Sequence, residues 1–360
     1  MKTHLDIARL RLLSQRLIGK AFEEPAHAVR WLGAVQAQDF AGAKWGVALR
    51  TKDADDARLE SAFNAGEIIR THALRPTWHF IARDDLRWML ALTSARVHMM
   101  NGGQYRRMEL DDVVLRRTRA VITKALANGR YLTRAELGAE LQKKRIVTDG
   151  QRLAYIAMHA ELEGLICSGP VRGKQHTYAL VDERVGAASA PAREEALAML
   201  ARRYFASHGP ATAHDFAWWS GLTVTEAKRA AQMLADELTC ATFEGKTYWF
   251  APELPDLKVK KPIIHMLPNY DEHVVAYRDH GPSLDPRTPR ALDGWGNALT
   301  SHLVVVNGLV VGGWRRSVER TRAVIQLKVP LSLKTTERNA IRREVNRYGK
   351  FLGLPVVLNH

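Results

Sequence analysis

The stretch "YLTRAELGAELQKKRIVTDGQRLAYIAMHAELEGLICSGPVRGKQHTYALV", Tyr131 to Val181, decides the fold. Thr133 with Glu136 three residues later is a capping box, so a helix opens there. Further on, Leu153, Ile156, Ala157, Ala160, Leu162 and Leu165 recur at helical spacing, and the pattern ends at Gly164. Turn residues follow, and the alternation from Thr177 to Val181 predicts a strand. Helix, helix, hairpin is the order of a winged helix, whose second helix usually enters a major groove while the hairpin touches backbone.

The order returns towards the C-terminus. "PATAHDFAWWSGL" opens a helix at Thr212, and "TVTEAKRAAQMLADEL" opens another at Thr223 with Glu226 as a second capping box. The hairpin "TCATFEGKTYWFAPE" then turns at Glu244-Gly245-Lys246. Thr133 against Thr212 and Tyr178 against Tyr248 give an offset of about 70 to 80 residues, consistent with one repeated unit. A third copy fits the N-terminal third: helices near Leu5–Gly19 and Ala26–Val35 precede "EIIRTHALRPTWHFIA", two extended runs around Leu74-Arg75-Pro76. The last hundred residues change to short apolar strands such as "PIIHML", "HLVVVNGLVVGGW" and "RAVIQLKVPL", then the helix "TERNAIRREVNRYGKFLG". The expected class is therefore α+β: three tandem winged-helix units (1–100, 101–188, 189–255) and a C-terminal β-rich, barrel-like domain (256–360) behind the linker "APELPDLKVKKP", 251–262.

The charge of +15, from 53 Lys+Arg against 38 Asp+Glu, favours a polyanionic partner, chiefly nucleic acid. Cys167 and Cys240 lie far apart without a CxxC, which excludes a disulfide framework and a thiolate zinc site and suits a reducing cytoplasm. Both fall at the start of a hairpin and read as small buried core residues. The start "MKTHLDIARLRLLSQRL" lacks an apolar signal core, and no run approaches the ~20 apolar residues of a membrane span, so a cytoplasmic protein is expected.

Chemistry has few places to sit. There is no HExxH, close histidine triad, GxSxG, P-loop or GxGxxG, so neither a metal nor a cofactor is expected. What remains is "GAVQAQDFAG", Gly33–Gly42, the hairpin "RTHALRPTWHF", Arg70–Phe80, and the basic surface. A helix entered at Pro25 carries Ala28, Val29, Leu32 and Val35, and "AKWGVALRT" beyond it reads as extended, with Trp45, Val47 and Leu49 alternating. In an extended segment residues two apart share a face, so Gln36 and Gln38 would project together. Taken alone, such a pair is most often a helix cap or a surface pair. Asp39 is a turn former or a helper orienting Gln38 or Arg70. On the hairpin, Arg75, His79 and His72 are further site candidates, His79 with Trp78 also suiting a core position. Trp218-Trp219 sit at helical positions and read as core. Arg172, Lys174 and Lys246 stand at wing tips, placed for phosphate or simply for solvent.

"RLRLLSQRLIGKAFEEPAHAVRWLGAVQAQDFAGAKWGVALRT", "GEIIRTHALRPTWHFIARDDLRWML" and "HMLPNYDEHVVAYRDH" together resemble the AlkZ-like (YcaQ-like) family, bacterial tandem winged-helix DNA glycosylases related to the azinomycin-resistance enzyme. The resemblance implies winged units and a barrel-like domain wrapped around duplex DNA. It implies cleavage of the N-glycosidic bond of bulky N7-alkylpurines and, in some members, of interstrand crosslinks, in repair or in self-resistance to a DNA-alkylating compound. The family's motif is glutamine, aliphatic, glutamine in one branch and glutamine, aliphatic, aspartate in the other. Gln36-Ala37-Gln38 matches the first, and Asp39 comes one residue too late for the second. By resemblance Gln36 and Gln38 are the catalytic pair of a monofunctional enzyme without metal or cofactor. The implied partner is duplex DNA containing alkylated purines, with no membrane, no obligate protein partner and a monomeric chain found on the nucleoid when bound. Monoadducts are favoured over crosslinks, which the resemblance places with the aspartate branch. The competing reading is a non-catalytic winged-helix regulator or damage sensor, with a structural or RNA-binding protein behind it. The paired glutamine motif separates the enzyme from the regulator, in which it would be pointless.

Overall fold

The two capping boxes read from the sequence, at Thr133 and Thr223, both form, and the helix opened at Thr212 has a third. In the computed structural model, which describes residues 1–252, 261–288, 291–292, 296–297 and 301–359, the hydroxyls of Thr133, Thr212 and Thr223 accept from backbone N–H groups three residues on. The side chains of Glu136, Asp215 and Glu226 return the bond. Helices Arg134–Lys143 and Arg152–Leu162 are followed by strands Ile166–Ser168 and Thr177–Leu180, the latter central in a three-stranded sheet completed by Leu132–Thr133. Helices Ala213–Ser220 and Val224–Met233 are followed by the hairpin Thr239–Phe243 and Lys246–Phe250, which turns where Glu244 and Gly245 take positive φ. Three further helices, Leu86–Arg107, Asp112–Leu126 and Arg193–His208, carry the chain between these groups.

In the N-terminal third, helices His4–Ser14 and Pro25–Leu32 precede the two-residue strand Val35–Gln36. Gly33 ends the second helix at φ 80°. The short strand pairs with Arg75–Ala82, setting Gln36 opposite His79, and Ile68–Ala73 lies on the other side of that central strand.

The segment "AKWGVALRT" is not extended: Phe40–Ala48 is a helix, with the Asp39 carboxylate accepting from Gly42 N–H as its N-cap. Nearly every residue in it is buried, Trp45 packing against Tyr348 and Phe351. A segment covered all round has no polar face to reveal its period, so the alternation of apolar residues carried no information about strand geometry.

The C-terminal strands form an open sheet, not a barrel, among the described residues. Its order is Val356–Asn359, Ala323–Lys328, Leu309–Val318, His302–Val306, Ile264–Leu267, with only the first pair parallel. One core joins this sheet and the helix Thr335–Leu352 to Leu12, Trp45, Phe63 and Phe80 of the N-terminal third. Burial against helices removes the need for closure. The linker 251–262 lies largely outside the described residues. Across the joint, the buried Arg50 guanidinium grips Asp271 through two bonds of 2.9 Å and also donates to the Gln15 backbone and side-chain carbonyls. Burial pushes the Asp271 carboxyl up, but the Arg50 charge and hydrogen bonds more than offset this and hold it below its ordinary range.

Two side chains depart from expectation. Cys167 is buried, but Cys240 is exposed, on the outer face of a two-stranded hairpin. Trp219 is fully buried, whereas Trp218 is 47% exposed.

Candidate active site

Gly33 stops a helix short, and the next residues have their backbone polar groups taken up by the hairpin. Ala37 N–H donates to the Trp78 carbonyl at 2.7 Å, and the Ala37 carbonyl accepts from Arg70 Nε at 2.9 Å. Residues 35–38 are thereby laid along the strand Arg75–Ala82. Gln36 is buried; its backbone N–H donates to Glu272 Oε1 at 2.7 Å and its side-chain carbonyl accepts from Arg75 Nη2 at 3.1 Å. A guanidinium can only donate, so Arg75 fixes which end of the amide is oxygen and leaves the Gln36 NH₂ pointing elsewhere. That NH₂ has no hydrogen bond to the described residues. Gln38 is exposed, with its carbonyl 3.5 Å from the Trp78 N–H, a distance at which little is gained. One glutamine is held and the other is nearly free, and both engage the same hairpin edge.

Beneath Gln36 lies a carboxylate that the sequence reading did not single out. Glu272, 1% exposed, accepts from Gln36 N–H, from Trp219 Nε1 at 3.0 Å and lies 3.5 Å from His208 Nε2. It follows Asp271, so the Arg50 grip also places Glu272. Burial lowers the His208 and Arg75 pKa values, and Glu272 opposes the shift in both. Trp218 closes the rim: its indole N–H donates to the Val275 carbonyl at 3.1 Å, and the Arg75 guanidinium lies 5.8 Å from its ring centre. A buried acid beside an exposed indole left no spacing signal, since both lie about two hundred residues from the glutamines.

The remaining candidates divide. His79 is fully buried; Nδ1 faces the Thr77 carbonyl at 2.9 Å, Nε2 has no partner, and burial keeps its pKa well below the ordinary value, so it is neutral. His72 is bound to the Glu161 carboxylate. Its ring lies 4.5 Å from that of Trp78, and Arg70 lies 4.3 Å from the same indole. Burial brings Arg70 down to about 10, still charged at neutral pH. Arg70, Trp78, Glu161, Ser168, His176 and Tyr178 line a hollow of about 360 Å³ between the hairpin and the next unit. Asp39 turns away, capping its helix and pairing with Arg316 at 3.2 Å. It orients neither Gln38 nor the Arg70 guanidinium directly.

Of the three wing-tip cations, Arg172 is paired with Glu136 at 2.8 Å and Lys246 with Asp279 at 2.5 Å. Lys174 is exposed and makes no ion pair with the described residues.

Comparison with known proteins bears on this arrangement. A family model described as DNA glycosylase AlkZ-like matches residues 29–351, which takes in the glutamine segment, the hairpin and Glu272. The interstrand DNA cross-link repair glycosylase of Streptomyces sahachiroi is 28% identical over 307 residues, 78% of this chain and 79% of that protein. The solved structure of Streptomyces sahachiroi DNA glycosylase AlkZ matches at TM-score 0.80 and 24% identity, covering 100% of both chains, a likeness that speaks for the fold. A family match over most of the chain, on a fold shared from end to end, makes this chain a member of the AlkZ-like DNA glycosylase family.

Proposed function

We propose that the protein hydrolyses the N-glycosidic bond of bulky N7-alkylated purines in duplex DNA, with Gln36 and Gln38 as the catalytic pair. The observation that carries this is the Arg75 clamp on the Gln36 carbonyl, which fixes a buried amide against the hairpin two residues before the exposed, freer Gln38. Alkylation at N7 leaves the purine cationic, so the base departs with the electrons of the breaking C1′–N9 bond and becomes neutral without a general acid. A water adds to the anomeric carbon and releases its proton to solvent. Gln38, whose carbonyl is the less engaged, accepts from that water, and the Gln36 NH₂ donates to a DNA oxygen. A carboxylate in the Gln36 position would be costly to desolvate and would repel nearby phosphates. That is the physical reason for amides.

Residues 1–100, 101–188 and 189–255 act in this reading as three winged-helix units that grip the duplex, with 256–360 closing against the first. The enzyme works as a monomer in the cytoplasm, bound to the nucleoid. No described helix is long and apolar enough to cross a membrane. Interstrand crosslinks belong among the substrates alongside monoadducts, because the 28% identical relative is named for their repair. The test is incubation with duplexes carrying N7-alkylguanines of graded bulk, and a second set carrying a defined crosslink, followed by detection of free base and abasic sites. Release of the bulky bases is the expected result, and none from any duplex would contradict it.

A further inference from the structure

Away from the glutamines, the helix Leu86–Arg107 meets the helix Arg152–Leu162, and three metal-binding side chains converge there. His159 and its C-cap neighbour Glu163 are four residues apart, which puts them on one helical face, and His98 comes from the other helix. One donor atom from each lies within 4.8 Å of the others. In a tetrahedral zinc site with bonds of roughly 2.0–2.1 Å the donors stand roughly 3.3 Å apart, so closing this cluster asks for at most about 1.5 Å of side-chain adjustment.

The orientation of His98 is the more telling feature. Its Nδ1 is engaged by the Tyr105 hydroxyl at 3.0 Å. Its buried Nε2 faces Glu163 Oε1 at 3.0 Å, so the second ring nitrogen points into the cluster. A metal-binding imidazole is commonly held in this way, one nitrogen on an orienting partner and the other presented to the ion. A hollow of about 330 Å³ lined by His159, Glu163, Asp112, Arg116 and Arg119 opens onto the cluster and gives an ion and a coordinating water a way in. The nearby arginines oppose a cation, while Glu163 and Asp112 offset them.

We propose that His98, His159 and Glu163 form a divalent-metal site of two imidazoles and one carboxylate, completed by water and suited to Zn²⁺. Imidazole donors select zinc or a similar transition ion over Mg²⁺ and Ca²⁺. The ion pins the helix Arg152–Leu162 to the helix Leu86–Arg107. The pinned helix also carries Glu161, the partner of His72 on the hairpin. The site acts on the framework and takes no part in the glycosidic step.

The test uses the full chain, stripped by a chelator and dialysed, then titrated calorimetrically with ZnCl₂ and, separately, with MgCl₂, with Co²⁺ absorption reporting coordination geometry. Expected are one zinc per chain, no magnesium, and affinity lowered about tenfold or more in His98→Ala, His159→Ala and Glu163→Gln. Glu163 is exposed, so its variant folds whatever happens to the buried histidine variants. The proposal is overturned if the stripped wild type takes up no zinc, or if Glu163→Gln and His159→Gln both bind zinc as tightly as wild type.

Discussion

Arg75 donates to the Gln36 carbonyl at 3.1 Å from one guanidinium nitrogen while another faces the Val275 carbonyl, a rigid fork that lysine does not reproduce. In Arg75→Lys the Gln36 amide loses its fixed orientation. A fall in single-turnover base release of about tenfold to a hundredfold is expected, with DNA affinity little changed; an unaltered rate would remove Arg75 from the site. Asp39→Asn tests the neighbour that was expected to turn the chain. Asparagine caps a helix as well as aspartate, so only the part-exposed pair with Arg316 is lost, at a cost under about 1 kcal/mol. Excision should be unchanged, and an inactive, folded Asp39→Asn enzyme would move the chemistry one residue along. Gln36 and Gln38 stood out in the sequence through the family resemblance, and Arg75 through its place on the hairpin. Glu272 was not, because a buried carboxylate is recognised by what surrounds it, and its partners Gln36, His208 and Trp219 come from three distant segments.

Local signals survived wherever they were complete within a few residues. The boxes at Thr133, Thr212 and Thr223 form because their hydrogen bonds need nothing from the rest of the fold. The helix Phe40–Ala48 was misread because burial on every side erases the pattern that periodicity depends on. The open C-terminal sheet was misread because closure depends on what covers its faces, here helices from both ends of the chain. The hairpin formed by Ile68–Ala73 and Arg75–Ala82 has its own tertiary constraint. Its turn puts buried Leu74 at φ 60°, and the Leu74 carbonyl would lie 1.9 Å from a Cβ on Gly221, itself at φ 71°. Gly221→Ala should therefore cost about 2 kcal/mol or more, from left-handed strain together with the clash, and slow base release by displacing the hairpin. Thermal unfolding that matches wild type would show that the two turns do not pack as described.

Across the whole molecule, two linked equilibria are open to measurement. His265 and His273 are buried and pushed down to about 3 and about 4, against an ordinary value of 6.5. The unfolded chain binds protons at these positions as pH falls below 6.5 and the folded one does not, so the contribution is fully present above 6.5 and is lost progressively down to about pH 4 for His273 and about pH 3 for His265. Stability at pH 5 should be lower than at pH 7.5 by on the order of 4 kcal/mol for the two sites together; a flat profile would contradict the burial of these rings. In DNA binding, affinity should fall steeply with salt, and Lys174→Ala should reduce the slope by about 0.9 unit if it contacts phosphate. Lys246→Ala should change it less, because Lys246 is already paired with Asp279. The most direct measurement is single-turnover release of a bulky N7-alkylguanine from duplex DNA by wild type and by the Gln36→Ala, Gln38→Ala double variant, with binding affinity measured in parallel. If the glutamine pair carries the chemistry, the double variant folds, still binds DNA and releases base at least about 10²-fold more slowly; release at the wild-type rate by the folded, DNA-bound double variant would contradict it.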